Sequence, residues 1–169
     1  MPKPEPGTFP PAYDNYICLV NETDLADAFA AQQTLIDKYF LKIPEAKTSF
    51  AYSPGKWTLK EMLQHIIDTE RIFAYRALCI SRKETQSLPG FEENEYALAS
   101  DANHREWHLL CEELQSVRKS NLYLFNAFSE ETLLRSGVSN QNNVTVMAIG
   151  FAMVGHIAHH KKIIEERYL

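Results

Sequence analysis

Three of the six histidines in this 169-residue chain lie close together in the stretch VGHIAHHKKIIEERYL, residues 154–169. They are His156, His159 and His160. A helix turns by about 100° per residue, so His156 and His160 share its apolar stripe, whereas His159 lies about 100° from His160, at the edge. Two imidazoles four residues apart on one helix face can bind a single ion. The spacing therefore predicts that His156 and His160 are metal ligands.

His65, in the stretch LKEMLQHIIDTERIFAYRALCI, is the best candidate for a third ligand. On a helix it lies in phase with Thr69 and Arg76, on a strip that borders the apolar face. Buried polar groups need partners, and a site cavity would supply them. The alternative is an ordinary hydrogen-bonded histidine at the edge of the core.

His104 and His108, in NHREWHLL, form a competing pair with the same spacing. They lie roughly 80° and 120° from the centre of the apolar face of their helix, which predicts solvent-exposed or rim positions. A surface metal pair is the alternative there. Other metal signatures are missing, because the sequence has no HExxH and no Glu-x-x-His motif.

Helical periodicity predicts the elements that must position these histidines. We expect four long helices, at about residues 23–41, 58–82, 101–128 and 145–167. The second opens with TLKE, a capping-box pattern, and SEETLL and SGVSNQNN predict a short turn and a polar loop. Four such helices favour an all-α four-helix bundle. The long connection after the second helix permits a crossover.

Composition and charge limit the functional class. The chain has 45% hydrophobic residues, 23% charged residues and a net charge of −5, which predicts one globular domain without a nucleic-acid or membrane partner. Its three cysteines form no CxxC pair, which favours a cytoplasmic protein with reduced, structural thiols. We expect an extended Pro-rich arm over residues 1–22, without a signal peptide, and a single domain over residues 23–169.

Three blocks of sequence resemble the DinB-like superfamily, and the resemblance covers nearly the whole chain from about Thr23. They are KWTLKEMLQHIIDTERIFAYRAL (56–78), LPGFEENEY (88–96) and NNVTVMAIGFAMVGHIAHHKKIIEERYL (142–169). The resemblance implies a four-helix bundle with up-down-down-up topology. It also implies one divalent ion, usually nickel or zinc, bound by three histidines that match His65, His156 and His160. Such bundles often dimerise, so we expect a homodimer.

The function implied by the resemblance is metal-dependent chemistry. Characterised relatives transfer low-molecular-weight thiols such as bacillithiol or mycothiol, and others are called metal-dependent hydrolases. We therefore expect an enzyme that transfers a small external thiol to an electrophile, with the connection LPGFEENEY roofing the cleft that holds it. The alternatives are a metal-dependent hydrolase and a non-enzymatic metal-binding stress or interaction protein. A fourth protein ligand on the ion would favour the non-enzymatic protein.

Two further expectations concern residues near the predicted site. Asp68 could support a metal-bound imidazole and Arg76 could hold a substrate carboxylate, but the pattern favours the alternative, that both form salt bridges at a helix rim. The small residues Ala148, Ala152 and Gly155 lie away from the metal-facing line of the last helix. They favour close contact with another helix, either within the bundle or across a dimer interface.

Overall fold

The computed structural model describes residues 3–169, whose main elements are four long helices, four short ones and a hairpin. The long helices are α2 (Leu25–Lys38), α4 (Leu59–Ser81), α6 (Trp107–Asn126) and α8 (Val146–Arg167). The short ones are α1 (Pro11–Ile17), α3 (Glu45–Thr48), α5 (Glu93–Ala99) and α7 (Glu130–Leu133). Strands β1 (Ser136–Ser139) and β2 (Asn142–Thr145) form the antiparallel hairpin, and 3-10 turns lie at Phe40–Lys42 and Ala102–His104.

Side-chain caps fix the starts of three long helices. The carboxylate of Asp24 accepts hydrogen bonds from the first turn of α2, and Thr145 accepts one from Ala148 at the start of α8. At α4 the predicted capping box is confirmed: the Thr58 hydroxyl accepts from the Glu61 backbone while the Glu61 carboxylate accepts from the Thr58 backbone. Both helices that carry the predicted metal ligands, α4 and α8, therefore begin at a fixed residue.

Helix α6 begins later than the sequence predicts. We expected a start near Asp101, but this residue adopts a left-handed conformation with φ of 54°, which a right-handed helix cannot include. A 3-10 turn follows, and Arg105 is extended before the helix begins at Trp107. The Trp107 indole N–H donates to the Phe40 carbonyl at 3.0 Å, which ties the start of α6 to the end of α2.

Contacts between side chains fix the direction of each helix. Gln64, near the start of α4, contacts Arg105, just before α6. Glu70, further along α4, contacts Arg118, further along α6. Helices α4 and α6 are therefore parallel.

Helices α4 and α8 run in opposite directions, because His65 near the start of α4 meets His160 near the end of α8. Helix α2 is parallel to α8. Leu25, at the start of α2, lies beside Gly150 near the start of α8, and Gln32, further along α2, donates to the Val154 carbonyl, further along α8. These directions confirm the predicted up-down-down-up bundle.

The polar loop expected at SGVSNQNN is instead the β1–β2 hairpin. Its two turn residues, Asn140 and Gln141, have positive φ angles of 48° and 63°, the pattern of a tight two-residue hairpin turn. The Leu88 backbone pairs alongside it, donating to Val138 and accepting from Asn140. The prediction was wrong here because the long α4–α6 connection supplies backbone partners that lie far away in sequence.

The expected extended arm is also partly wrong. Residues 1 and 2 lie outside the described part of the chain, but Pro11–Ile17 forms α1, with a proline at the first helical position, where its missing N–H costs nothing. The helix packs onto the bundle, where Ile17 is buried and the Tyr13 ring lies 5.5 Å from the Phe73 ring. Tertiary contact therefore stabilises a helix too short to be predicted alone.

The small residues of α8 are used within this chain. Ala148 and Ala152 are fully buried in the main apolar core. A Cβ on Gly155 would lie 2.1 Å from the Tyr16 carbonyl oxygen, so only glycine lets α1 approach this closely. The internal-packing interpretation accounts for all three residues, and the homodimer stays a prediction.

A buried polar cluster lies in the middle of the bundle, between α4 and α6. The Arg118 guanidinium, fully buried, donates to the Glu70 carboxylate at 2.6 Å and lies over the Phe29 ring. The amide of Asn121 donates to the same carboxylate at 2.7 Å. Burial raises the pKa of the Glu70 carboxyl, and Arg118 opposes that rise. Each charge therefore depends on the other.

Among residues 3–169, no helix is both long enough and apolar enough to cross a membrane.

The close approach of α1 predicts an unusual response to Gly155→Ala. Glycine to alanine inside a helix ordinarily stabilises by about 1 kcal/mol. Here we expect the free energy of unfolding to fall by roughly 1–3 kcal/mol, because backbone must move to admit the methyl group. Urea denaturation of the metal-free protein measures it. The control is Gly150→Ala, whose Cβ meets only side chains, of Leu25 and Phe125, and should cost less. A Gly155→Ala variant as stable as the parent would contradict the α1–α8 contact.

The buried ion pair predicts a large loss when one charge is removed. We expect Arg118→Met to lower the free energy of unfolding by about 3–5 kcal/mol, because Glu70 is left buried without its cation. The double variant Glu70→Leu, Arg118→Met should recover much of this loss. Arg71→Met is the control, since its pair with Glu113 is half exposed and worth less than about 1 kcal/mol. Equal losses for Arg118→Met and Arg71→Met in the same denaturation assay would refute the argument.

Candidate metal centre

Three imidazoles from two antiparallel helices converge on one point inside the bundle. His65 comes from α4, and His156 and His160 come from consecutive turns of α8. The Nε2 atom of His156 lies 3.0 Å from the Nε2 atoms of both His65 and His160. All three residues are buried, and their ligand atoms lie within 4.8 Å of one another. The structure thus brings together the three histidines singled out by helical phase.

Aromatic side chains pack around the imidazoles and fix their orientation. The Trp57 ring, just before α4, lies 4.8 Å from the His65 ring. The Tyr16 ring, on α1, meets the His156 ring edge-on at 5.2 Å. Since α1 reaches His156 only because residue 155 has no side chain, Gly155 also shapes the site.

Burial keeps these imidazoles in the neutral form that binds metals. Burial lowers the pKa of His65 to about 4, and the positive charge that His159 would carry adds to this. It also lowers the pKa values of His156 and His160 well below the ordinary value, helped by the positive charges that neighbouring histidines would carry. At neutral pH all three rings are therefore uncharged.

The cluster fits a divalent ion better than a hydrogen-bonded set. A neutral imidazole offers one proton, so His156 Nε2 can make at most one good hydrogen bond with its two neighbours. Nitrogens about 2.1 Å from one ion lie about 3.0–3.4 Å apart, which matches the two distances of 3.0 Å. An ion would use all three lone pairs at once. Within residues 3–169, no other His, Cys, Asp or Glu joins this cluster.

The remaining histidines lie apart from this cluster. His159 is half-buried beside it, with its ring 5.5 Å from the Tyr16 ring, and it is not part of the cluster. His104 and His108 are exposed, as predicted, and His104 Nδ1 lies 2.6 Å from a carboxylate oxygen of Asp101. The surface metal pair considered for His104 and His108 has no third ligand in the described chain.

A cleft of about 300 Å³ leads from the surface to His160. Residues from three parts of the chain surround it: the segment before α4 together with the first turn of that helix, the first turn of α5, and the end of α8. They are Tyr52, Gly55, Lys56, Trp57, Met62, Glu93, Asn94, Ile163 and Tyr168. The prediction that the connection 88–96 roofs the cleft is confirmed for Glu93 and Asn94. An ion at the cluster would thus be reachable by a small molecule.

A larger cavity of about 520 Å³ lies between α4 and α5, and none of the three histidines lines it. Asp68 lines it and accepts a hydrogen bond from the Gln64 amide at 2.8 Å, with Arg71 at 4.0 Å. These contacts are the ones expected if Asp68 forms a salt bridge at the rim of the helix. The other ring nitrogen of His160, Nδ1, is buried without a hydrogen-bond partner among the described residues. Support of an imidazole by Asp68 therefore stays a prediction.

Arg76 is buried and holds the α4–α6 connection. Its guanidinium donates to the Pro89 carbonyl at 2.9 Å and lies between the Phe73 and Phe91 rings, 6.0 and 5.9 Å from their centres. It thereby fixes the chain that leads into α5 and the roof of the cleft. A role in holding a substrate carboxylate stays a prediction.

Most of the residues that form the cleft were not predicted from the sequence. Lys56 and Trp57 precede α4, and Tyr168 follows α8, so helical periodicity does not place them. Their position in the sequence could have indicated them, since each lies just outside a helix that carries a predicted ligand. Burial raises the pKa of Tyr168 to about 12, and its hydroxyl donates to the Trp57 carbonyl at 2.6 Å. Tyr168 thus closes the end of the cleft.

Comparison with known proteins places this architecture in a family. A model of the DinB superfamily matches residues 28–164. No curated protein sequence matches the chain. Among solved structures it is similar to YfiT from Bacillus subtilis, described as "a probable metal-dependent hydrolase with an unusual four-helix bundle topology". The identity is 17% and the TM-score 0.69, over 97% of this chain and 90% of that one, which is evidence for the fold alone.

The geometry predicts how metal content responds to histidine substitution. His65→Ala, His156→Ala and His160→Ala should each lose most of the bound ion, because two imidazoles hold a divalent ion far more weakly than three. The expected result is below about one fifth of the parent metal content after gel filtration, measured by elemental analysis. His159→Ala is the matched control and should keep near-parent content. Full occupancy in His65→Ala would show that the assignment is wrong.

Proposed function

Because the chain belongs to the DinB superfamily and brings three neutral imidazoles to the end of an open cleft, we propose that it is a metal-dependent enzyme. The ion is nickel or zinc, held by His65, His156 and His160. A divalent ion bound by three neutral ligands retains its charge and an open position, so it lowers the pKa of a thiol or water that binds there.

One observation carries this proposal: among residues 3–169 the histidine cluster has no fourth protein ligand, and it lies at a cleft. A structural site is ordinarily closed by four protein ligands, whereas a catalytic site keeps a position for substrate. The open arrangement therefore favours an enzyme over a non-enzymatic metal-binding protein. The surrounding aromatic rings exclude bulk water from the imidazoles, which strengthens electrostatic interactions at the site.

The reaction we propose is transfer of a small external thiol to an electrophile. The thiol gives up its proton, its sulfur forms a bond to an electrophilic carbon, and the leaving group departs with the electron pair of the broken bond. A free thiol has a pKa of about 8.5, so only a small part is the reactive thiolate at pH 7. An ion at the site would lower the pKa of a bound thiol and so raise its thiolate fraction.

The protein's own cysteines are poorly placed to be the nucleophile. None of the three lines the cleft. Burial raises the pKa of the Cys111 thiol to about 12, so this group stays protonated. Cys79 lies near the far end of α4, four turns from His65. The thiol therefore comes from outside the chain.

Hydrolysis is the second candidate, and similarity to YfiT, a protein described as a metal-dependent hydrolase, favours it. The same open position would serve water instead of a thiol. The two reactions differ in what they consume. Transfer depends on thiol concentration and yields a thioether, whereas hydrolysis proceeds without thiol and yields an alcohol or acid.

A screen of thiol transfer on zinc-loaded and nickel-loaded protein tests the proposal. We expect turnover with a small thiol and an alkylating electrophile, abolished by chelation and restored by the ion. The variant Cys18→Ser, Cys79→Ser, Cys111→Ser should keep the parent rate. If this variant is inactive while folded and metal-loaded, the nucleophile is internal. Thiol-independent turnover of ester or amide substrates would instead favour hydrolysis.

A further inference from the structure

Two opposite charges face the cleft beside His160 without pairing with any other residue. Lys56 precedes α4, and Glu93 lies in the first turn of α5. In the described part of the chain neither side chain forms an ion pair or a side-chain hydrogen bond. Other charges nearby do pair, as Lys161 does with Glu165 at 2.6 Å. The free cation and free anion at one cleft are therefore available to a ligand.

Glu93 lines the cleft within electrostatic reach of Tyr16 and His159. Its negative charge contributes to raising the pKa of Tyr16, after the larger effect of burial, and it favours the charged form of His159. Tyr16 packs against the His156 ring, so the carboxylate lies within electrostatic reach of the cluster. Asn94 lines the same wall and adds a neutral amide that can donate and accept.

Apolar and aromatic side chains line part of the remaining walls of the cleft. Trp57, Met62 and Ile163 surround the route to His160, and Tyr52 and Tyr168 contribute aromatic faces. A volume of about 300 Å³ lies at the small end of ligand sites in proteins.

We propose that this cleft binds a zwitterionic ligand, an α-amino acid group whose ammonium faces Glu93 and whose carboxylate faces Lys56. The inference rests on the proposed function, because it names the substrate class of the same site: a small thiol that carries an α-amino acid group. The apolar walls accommodate its carbon chain, and its sulfur lies toward His160. A ligand with one charge would leave either Lys56 or Glu93 without a partner.

Thioether probes test the charge preference separately from thiol chemistry. The probe is S-methyl-L-cysteine, which has both charges but no free thiol. Its counterparts are 2-(methylthio)ethylamine, which lacks the carboxylate, and 3-(methylthio)propionate, which lacks the amine. Isothermal titration calorimetry on the zinc-loaded protein should give dissociation constants about fivefold higher for each counterpart, the effect of losing one partly exposed ion pair.

Substitutions of Glu93 and Lys56 test which residue recognises the ammonium and which recognises the carboxylate. In Glu93→Gln the advantage of S-methyl-L-cysteine over 3-(methylthio)propionate should disappear, whereas its advantage over 2-(methylthio)ethylamine should remain. Lys56→Met should show the converse. Glu95→Gln, on the same helix, and Lys119→Met, on the exposed face of α6, are matched controls that should keep both preferences.

The outcomes separate this inference from the proposed function. Affinities equal within twofold for the three probes, or preferences unchanged in Glu93→Gln and Lys56→Met, would overturn the zwitterion site even if thiol transfer is observed. Conversely, absence of thiol transfer would overturn the proposed reaction. A charge preference that is present in the parent protein and lost in Glu93→Gln and Lys56→Met would still support the zwitterionic ligand.

Discussion

The contact between α4 and α8 at three buried imidazoles is the interaction on which the site depends. In the neutral set the shared Nε2 of His156 can make only one good hydrogen bond to its two neighbours at 3.0 Å, and burial opposes charging the rings. An ion resolves both constraints. Because His65 lies near the start of α4 and His160 near the end of α8, the site lies at one end of the bundle, where a cleft can reach it.

The up-down-down-up order of the helices makes this site possible. Parallel α4 and α6 need a connection that returns along the bundle, and part of that connection becomes α5, which contributes Glu93 and Asn94 to the cleft. Arg76 holds the connection through the Pro89 carbonyl. The buried pair of Glu70 and Arg118 joins the same two helices lower in the core. Polar contacts thus hold both the bundle and the roof of its site.

Sequence reasoning identified the histidine cluster because helical phase alone determines which side chains share a face. It also predicted the capping box at Thr58, which needs only four consecutive residues. It failed where structure depends on distant partners. The hairpin turn uses Asn140 and Gln141 at positive φ without a glycine, and is supported by the distant Leu88 backbone. The cleft charges come from two separate elements, so no spacing in the sequence relates them.

X-ray absorption at the metal edge tests the central claim most directly, since it reports the atoms bound to the ion. For zinc-loaded protein without thiol, we predict three imidazole nitrogens at about 2.0–2.2 Å, the remaining position filled by a light atom, and no sulfur. Addition of a small thiol should introduce one sulfur at about 2.3 Å while all three imidazoles remain. Fewer than three imidazoles, or a sulfur ligand before any thiol is added, would contradict the proposed site.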